Sequence, residues 1–348
     1  VAISAGQRAT KVKTNDKSLN SMTIDTTTLT GATVAVTGAT GYIGSHCVDQ
    51  LLDAGATVHA CVRDPAKTVL RKLAAAKGAA DRLKLFKSDL LVDGSYDAAF
   101  DGATVVIHTA AVVDLSGENA ETTIAAAVNG TENVLRSCGR SATVSRGVIV
   151  SSVSAILDMN KPPDHIFDEK DWNFFSSAEN EPYGFAKRRS EEIFWSEAEA
   201  AGLEAVSINP AMVVGPALTA SHCSGTLGPL AYLATGGGAA KGKAPSYKVF
   251  HSKLRLVDVR DVAKACVKAA AAPAGDTSIV GKRHLLANDA PPQTWAELAP
   301  EYLPEYAFHV PDEPSEADKA AETNAFYKKY ILRTGPMYDN SFSKRVIL

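Results

Sequence analysis

From Gly31 onward, short β-branched apolar runs alternate with stretches whose apolar residues recur at helical spacing. Strands are predicted at Thr33–Thr37 (TVAVT), Thr57–Arg63 (TVHACVR), Leu83–Lys87, Thr104–Thr109, Gly147–Ser151 and Ala205–Asn209, the last stopped by Pro210. Helical patterns fall between them: Tyr42 to Ala54, Pro65 to about Lys77, 95–100, 118–138, and Gly184 to Ala201. Such alternation predicts right-handed βαβ crossovers and a parallel sheet buried on both faces. The expected fold is therefore α/β, a doubly wound parallel sheet with its ligand site at the carboxyl ends of the strands.

The regularity fades after Gly215. Residues 216–250, with Gly236-Gly237-Gly238 and several lysines, read as loop and lid. Leu256-Val257-Asp258-Val259 followed by Val262–Ala271 reads as a strand and helix returning to the core. Trp295–Tyr302 is helix-like and 311–325 is polar. The chain thus divides into a flexible leader (1–30), a dinucleotide-binding core (31–215) and a smaller substrate-side lobe or lid (216–348), to which 254–272 contributes its strand and helix.

Composition narrows the function classes. A formal net charge of −3 and the lack of any dense Lys/Arg block argue against a nucleic-acid partner. No apolar run approaches the ~20 residues of a membrane span. Five scattered cysteines without a C-x-x-C pair read as reduced thiols, in the cytoplasm or an organelle interior such as a plastid. No histidine group has metal-ligand spacing, and the adjacent His222-Cys223 pair reads as loop, so no metal is expected. The chain starts at Val1, and the Ser/Thr/Lys-rich 1–30 reads as a disordered leader or the remnant of a transit peptide.

Chemistry concentrates at two places. Thr37-Gly38-Ala39-Thr40-Gly41-Tyr42-Ile43-Gly44 follows the first strand and opens the first helix. Glycines there permit a tight turn and close approach of the backbone to a pyrophosphate, which the free N–H groups at the helix start then face. At the end of the second strand stands Arg63, with Asp64, Lys67 and Arg71 close behind. A guanidinium at this point pairs with a 2′-phosphate, favouring NADPH, whereas Asp64 keeps NADH in play. The second place is Tyr183-Gly184-Phe185-Ala186-Lys187: at i and i+4 both side chains share one helix face. An ammonium next to a phenol is expected to lower the phenol pKa from ~10 and ease proton donation. The preceding strand ends in Ser151-Ser152, able to hydrogen-bond a carbonyl oxygen beside Tyr183.

These segments resemble the extended short-chain dehydrogenase/reductase family, in its branch of dihydroflavonol 4-reductases, cinnamoyl-CoA reductases and yeast-type aldehyde/ketone reductases. The resemblance spans about residues 31 to 272 and rests on VTGATGYIG (36–44), VRDP (62–65), SDL (88–90), HTAA (108–111), NGTENVL (129–135), SSVSA (151–155), YGFAK (183–187), NPAMVVGP (209–216) and LVDVRDVA (256–263). It implies a Rossmann fold and an NADPH site: Gly38, Gly41, Tyr42, Ile43 and Gly44 at the pyrophosphate, Arg63 at the 2′-phosphate with Lys67 or Arg71 as its second basic residue, and Asp89 and Leu90 flanking adenine. Thr109, Ala110 and Ala111 would line the dinucleotide path, with Pro210 and Val213 against the nicotinamide. Ser152 would polarise the carbonyl, Tyr183 donate the proton, and Lys187 tune Tyr183 and bind ribose. Val112, Val113, Leu157, Met212 and the 217–250 loop are the candidates for contacting a small, mainly apolar carbonyl or alcohol substrate. The resemblance also implies continuation beyond Leu348.

Departures limit what the resemblance carries. Ala127 stands where many extended members have Asn, and Leu157 where plant dihydroflavonol reductases have one; the N-W-Y-C-Y signature of cinnamoyl-CoA reductases is absent. Neither plant substrate is carried over. His108, in an apolar strand, reads as a core histidine, the Trp172, Phe174 and Phe175 cluster as packing, and lysines 241, 243, 248 and 253 as a solvated lid face. The leading expectation is an NADPH-dependent oxidoreductase reducing an aldehyde or ketone. The alternatives are an NADPH-binding accessory subunit without turnover, or a nucleotide-sugar epimerase or dehydratase, against which Arg63 counts. A protein partner or oligomer is compatible with all three.

Overall fold

The computed structural model describes residues 25–66, 69–111, 120–162, 164–223, 227, 254–294, 296–298 and 337–348. Its strands are β1 (Thr33–Thr37), β2 (Thr57–Val62), β3 (Leu83–Lys87), β4 (Val105–His108), β5 (Arg146–Val150), β6 (Ile166–Phe167), β7 (Glu204–Pro210), β8 (Met212–Val214), β9 (Leu256–Asp258), β10 (Lys282–Leu286) and β11 (Met337–Tyr338). The helices are α1 (Tyr42–Asp53), α2 (Leu70–Ala76), α3 (Asp97–Phe100), α4 (Ala120–Arg140), α5 (Pro182–Ala200), α6 (Val259–Ala271) and α7 (Ser341–Val346). Seven strands form one sheet in the order β10-β7-β5-β4-β1-β2-β3, all parallel. The chain order reverses between β1 and β4, where a doubly wound sheet opens its ligand crevice. Register brings the site residues level: Thr37 lies opposite His108, and Val150 opposite Ile208.

Two apolar layers sandwich this sheet. On one face Cys47, Val48, Leu51 and Leu52 of α1 and Val262, Ala265 and Cys266 of α6 pack with Val34, Val36, Val148 and Val206. On the other, Phe100, Val134, Leu135, Cys138 and Phe194 pack with Ala35, Val106 and Ile149. Strands buried on both faces read as near-continuous apolar runs, and that is why they were visible in the sequence.

The boundaries differ from expectation where polar groups decide them. Helix α5 begins at Pro182, two residues early, because Glu181 caps it by accepting the Gly184 N–H at 2.7 Å and proline suits the first turn. Helix α2 begins at Leu70 rather than Pro65; Asp64 instead turns the chain by accepting the Ala66 N–H at 3.0 Å. Strand β10 was not expected, and Lys282-Arg283-His284 explains why: its buried Arg283 and His284 hide a strand at the edge of the sheet behind polar letters. Of the expected lid only 216–223 and Leu227 are described, and 311–325 lies outside the described residues.

Arg146 opens β5 although it is buried. Its guanidinium pairs with Glu204 and donates to the carbonyls of Ala269 (3.0 Å), Ala270 (3.2 Å) and Ala272 (2.6 Å), closing the C-terminus of α6. Arg146→Met leaves those carbonyls and Glu204 without their cation. We expect it to cost roughly 3–5 kcal/mol in urea unfolding at unchanged m-value. A loss under 1 kcal/mol would sink this account.

Candidate active site

The phosphate turn is shaped by contacts that leave no room for side chains. Gly38 has φ +63°, and a Cβ there would sit 2.8 Å from both Ala110 N and Cα. The Gly41 N–H donates to Gly38 O at 2.8 Å, and α1 starts without a side-chain cap, so its first N–H groups remain open to an anion. Thr109 Oγ1 donates to Thr37 O at 2.7 Å, and Thr37 Oγ1 accepts the Ala110 N–H at 3.2 Å. Thr37 Oγ1 and His108 Nδ1 share a hydrogen bond of 2.7 Å. Burial, with help from the Lys187 charge, holds His108 down at about 3, a neutral structural ring.

A strap crosses this turn. Tyr42 donates to Gly215 O at 2.8 Å, His46 Nε2 to Pro216 O at 3.0 Å, and His222 Nε2 to Thr40 O at 3.0 Å. His222 is therefore a fastening of the strap rather than loose loop, a role that depends on a residue 182 positions away in sequence.

Arg63 is exposed just past β2, with no ion-pair partner among the described residues. Asp64 spends a carboxylate oxygen on Ala66 N–H. Asp89 is exposed and accepts the Leu91 N–H at 2.9 Å. Asn133 Nδ2 donates to Leu90 O at 3.0 Å, and Gly130 lets the Leu90 side chain lie against α4. The second asparagine of NGTENVL, Asn133, thus ties down the Asp89–Leu90 loop. Lys67 lies outside the described residues.

Ser152, Tyr183 and Lys187, the residues expected to carry the chemistry, come together at the carboxyl end of β5. Ser152 is buried and accepts the Ser154 N–H at 3.1 Å, and its hydroxyl is near enough to the Tyr183 phenol to pull that group's pKa down. Lys187 Nζ lies 6.0 Å from the Tyr183 ring centroid. Tyr183 and Lys187 line a cavity of about 20 Å³ together with His108, Ala110, Thr131 and Ser151, room for about one water. Tyr183 departs from expectation. Burial and the Glu181 carboxylate outweigh the opposing pull of the Ser152 hydroxyl and push the phenol up to about 12, rather than Lys187 lowering it. Burial brings Lys187 down to about 8, against an opposing pull from Glu191. Burial also lifts Glu181 to about 7 despite its bonds to Ser176 and Gly184.

Ser151 and Ser152 separate cleanly: Ser151 Oγ donates to Glu191 Oε2 at 2.6 Å, leaving Ser152 to face Tyr183. Pro210 and Val213 are buried beside this edge, and Met212 is half-buried in β8. Leu157 is packed in an apolar cluster with Val153, Ile156, Phe167 and Leu285. Val112 and Val113 lie outside the described residues. Trp172 packs as expected, its ring 3.9 Å from the Arg283 guanidinium carbon, whereas Phe174 is exposed. Among the described residues no cluster of metal-ligating side chains occurs, and no helix is long and apolar enough to cross a membrane.

Residues 34–281 match the model of the NAD dependent epimerase/dehydratase family. The chain belongs to that family. It is an NAD(P)-dependent oxidoreductase acting on carbonyl or alcohol groups. It is 36% identical over 292 residues to cinnamoyl-CoA reductase 1 of Arabidopsis thaliana, covering 81% of this chain and 79% of that one. It is 31% identical over 309 residues to dihydroflavonol 4-reductase of Hordeum vulgare, covering 87% and 83%. In fold it is similar to yeast methylglyoxal/isovaleraldehyde reductase Gre2 complexed with NADPH, at TM-score 0.70 and 24% identity over 90% of this chain and 92% of that one. The similarity to a cinnamoyl-CoA reductase and a dihydroflavonol 4-reductase fits an oxidoreductase site at the switch point of the sheet.

Proposed function

We propose that this enzyme is an NADPH-dependent reductase of an aldehyde or ketone, with Tyr183 as proton donor. The observation that carries the reading is the pocket that Tyr183 and Lys187, one helical turn apart, line together with Ala110 and Ala111 beside the glycine turn, with the Ser152 hydroxyl near enough to act on the phenol. NADPH, when bound, supplies hydride to the carbonyl carbon. Ser152 and Tyr183 hold the carbonyl oxygen from one side and orient it. A phenol held neutral up to about 12 is the form that donates as negative charge builds on that oxygen. Lys187 stabilises the phenolate left behind and holds the ribose.

The glycine cradle, in which no Cβ fits at Gly38, together with the uncapped start of α1, suits the pyrophosphate. Exposed Arg63, free of ion pairing among the described residues, suits the 2′-phosphate. Arg63→Ser is expected to lower kcat/KM with NADPH about 10- to 100-fold and leave NADH nearly unchanged. Equal losses with both cofactors would remove Arg63 from the 2′-phosphate site.

The deciding assay is oxidation of NADPH and NADH by the purified chain across aldehydes, ketones and flavanones. NADPH-specific turnover is expected. Tight NADPH binding without turnover on any of them would overturn the reductase reading in favour of an accessory role. Lys187 must stay protonated to support the phenolate, so reduction holds below pH about 8 and falls above it. The alkaline slope should be about tenfold per pH unit, read from kcat/KM against pH.

A further inference from the structure

Beneath the reacting groups lies a carboxylate that the reductase chemistry does not use. Glu191 is fully buried on α5, one turn beyond Lys187 and two beyond Tyr183, so the three residues share a helix face. Three strands and α5 itself supply its partners. Ser151 from the end of β5 and Asn209 from β7 donate to Oε2 at 2.6 and 2.8 Å. Arg283 from β10 donates to Oε1 at 2.6 Å, and Trp195 of α5 reaches the same oxygen at 3.4 Å. Asn209 also donates to Ser152 O at 3.3 Å, so one side chain links Glu191 to the backbone of the serine that faces Tyr183. Arg283 stacks on Trp172 and donates to Asp171 O and to Glu169 O, drawing in the loop before α5.

Stability alone does not account for this arrangement. Burying two charges costs several kcal/mol, and an apolar pair of the same volume often holds such elements equally well or better. What an apolar pair cannot supply is a negative charge one turn from a dehydrated lysine. We propose that Glu191, clamped by Arg283, is a positioning residue: it fixes the Ser152 strand end and keeps Lys187 charged, setting the alkaline limit of reduction.

The charges around Lys187 support this. Along α5 it has Tyr183 on one side and Glu191 on the other. From β4 comes His108, which stays neutral, and Glu181 acts on Tyr183. Arg283 lies on the far side of Glu191. Glu191 is the anion pulling Lys187 upward against burial. Its own carboxyl, which burial would raise, is brought below the ordinary range by Arg283, Ser151 and Asn209, so it is ionised wherever the enzyme works.

The inference rests on the proposed role of Lys187, and Lys187→Met separates the two. If that variant reduces carbonyls as fast as the native enzyme, the reading of the site itself fails. The test of Glu191 is the pH profile of kcat/KM for NADPH-dependent reduction in Glu191→Gln, Arg283→Gln and Glu191→Asp. Glu191→Gln removes the anion and leaves Arg283 uncancelled, so the alkaline limb should move down by about one pH unit or more. Arg283→Gln leaves the anion unopposed, so the limb should move up. Glu191→Asp keeps the charge and should retain the native limb while lowering kcat. The sign is specified for each substitution, so either neutral variant decides alone if the other does not fold. Limbs that coincide with the native one, at whatever cost in stability, would reduce Glu191 and Arg283 to a structural ion pair.

Discussion

Tyr183→Phe is expected to lower kcat for carbonyl reduction by about 10²- to 10⁴-fold, with NADPH affinity and fold retained. The substitution removes one oxygen and almost no volume, so packing around α5 is unchanged. What disappears is the neutral proton donor next to Ser152. The residual rate would come from Ser152 and from the held geometry of cofactor and substrate, as in other enzymes whose acid is deleted while the binding site persists. Single-turnover reduction and a fluorescence titration with NADPH separate chemistry from binding. A Phe variant within tenfold of native kcat would show that Tyr183 is not the donor. The proton would then have to come from elsewhere in the site, Lys187 being the nearest candidate on the same helix face.

How far the sequence reached depends on whether a residue's reason lies nearby in the chain. TVAVT, the glycine turn and the start of α1 form one local unit, and the Tyr183/Lys187 spacing is a property of one helix, so both were legible. Arg146 and Arg283 were not, because each is buried for partners far away. One closes the end of α6 more than 120 residues on, and the other neutralises Glu191 across 92 residues. A charged residue inside a strand reads as a reason against the strand, so β5 seemed to start at Gly147 and β10 went unseen. Glu191 itself, one letter in a polar helix, carries no local mark of being buried. The Tyr183 pKa went the other way from expectation for a related reason. Proximity of Lys187 was legible, but dehydration of the phenol and the Glu181 carboxylate depend on how the loop before α5 folds over it. Leu157, expected to contact substrate, turns inward because Ile156, Phe167 and Leu285 form a cluster around it.

The second large effect belongs to Gly44. Its added methyl in Gly44→Ala would run into the Gly38 carbonyl oxygen and come within 2.7 Å of Thr109 Oγ1 and 3.0 Å of Gly38 C. None of these can yield cheaply. Gly38 O already accepts the Gly41 N–H at 2.8 Å, and Thr109 Oγ1 is committed to Thr37 O at 2.7 Å. The helix must therefore move away from β1, carrying with it the open N–H groups that face the pyrophosphate. Overpacking of this kind costs roughly 1–3 kcal/mol of stability. The loss in cofactor binding should be larger, about 100-fold or more in NADPH Kd, because several backbone donors shift together. Gly102→Ala is the control. Gly102 has φ +74° with nothing within 4 Å of an added Cβ, so alanine there pays only the backbone strain of roughly 1–2 kcal/mol. Calorimetric titration of both variants with NADPH distinguishes the cases: Gly102→Ala should bind as the native chain does, and Gly44→Ala should not. Equal Kd values would mean that the close approach of α1 to β1 serves packing alone, and the pyrophosphate would have to be held elsewhere.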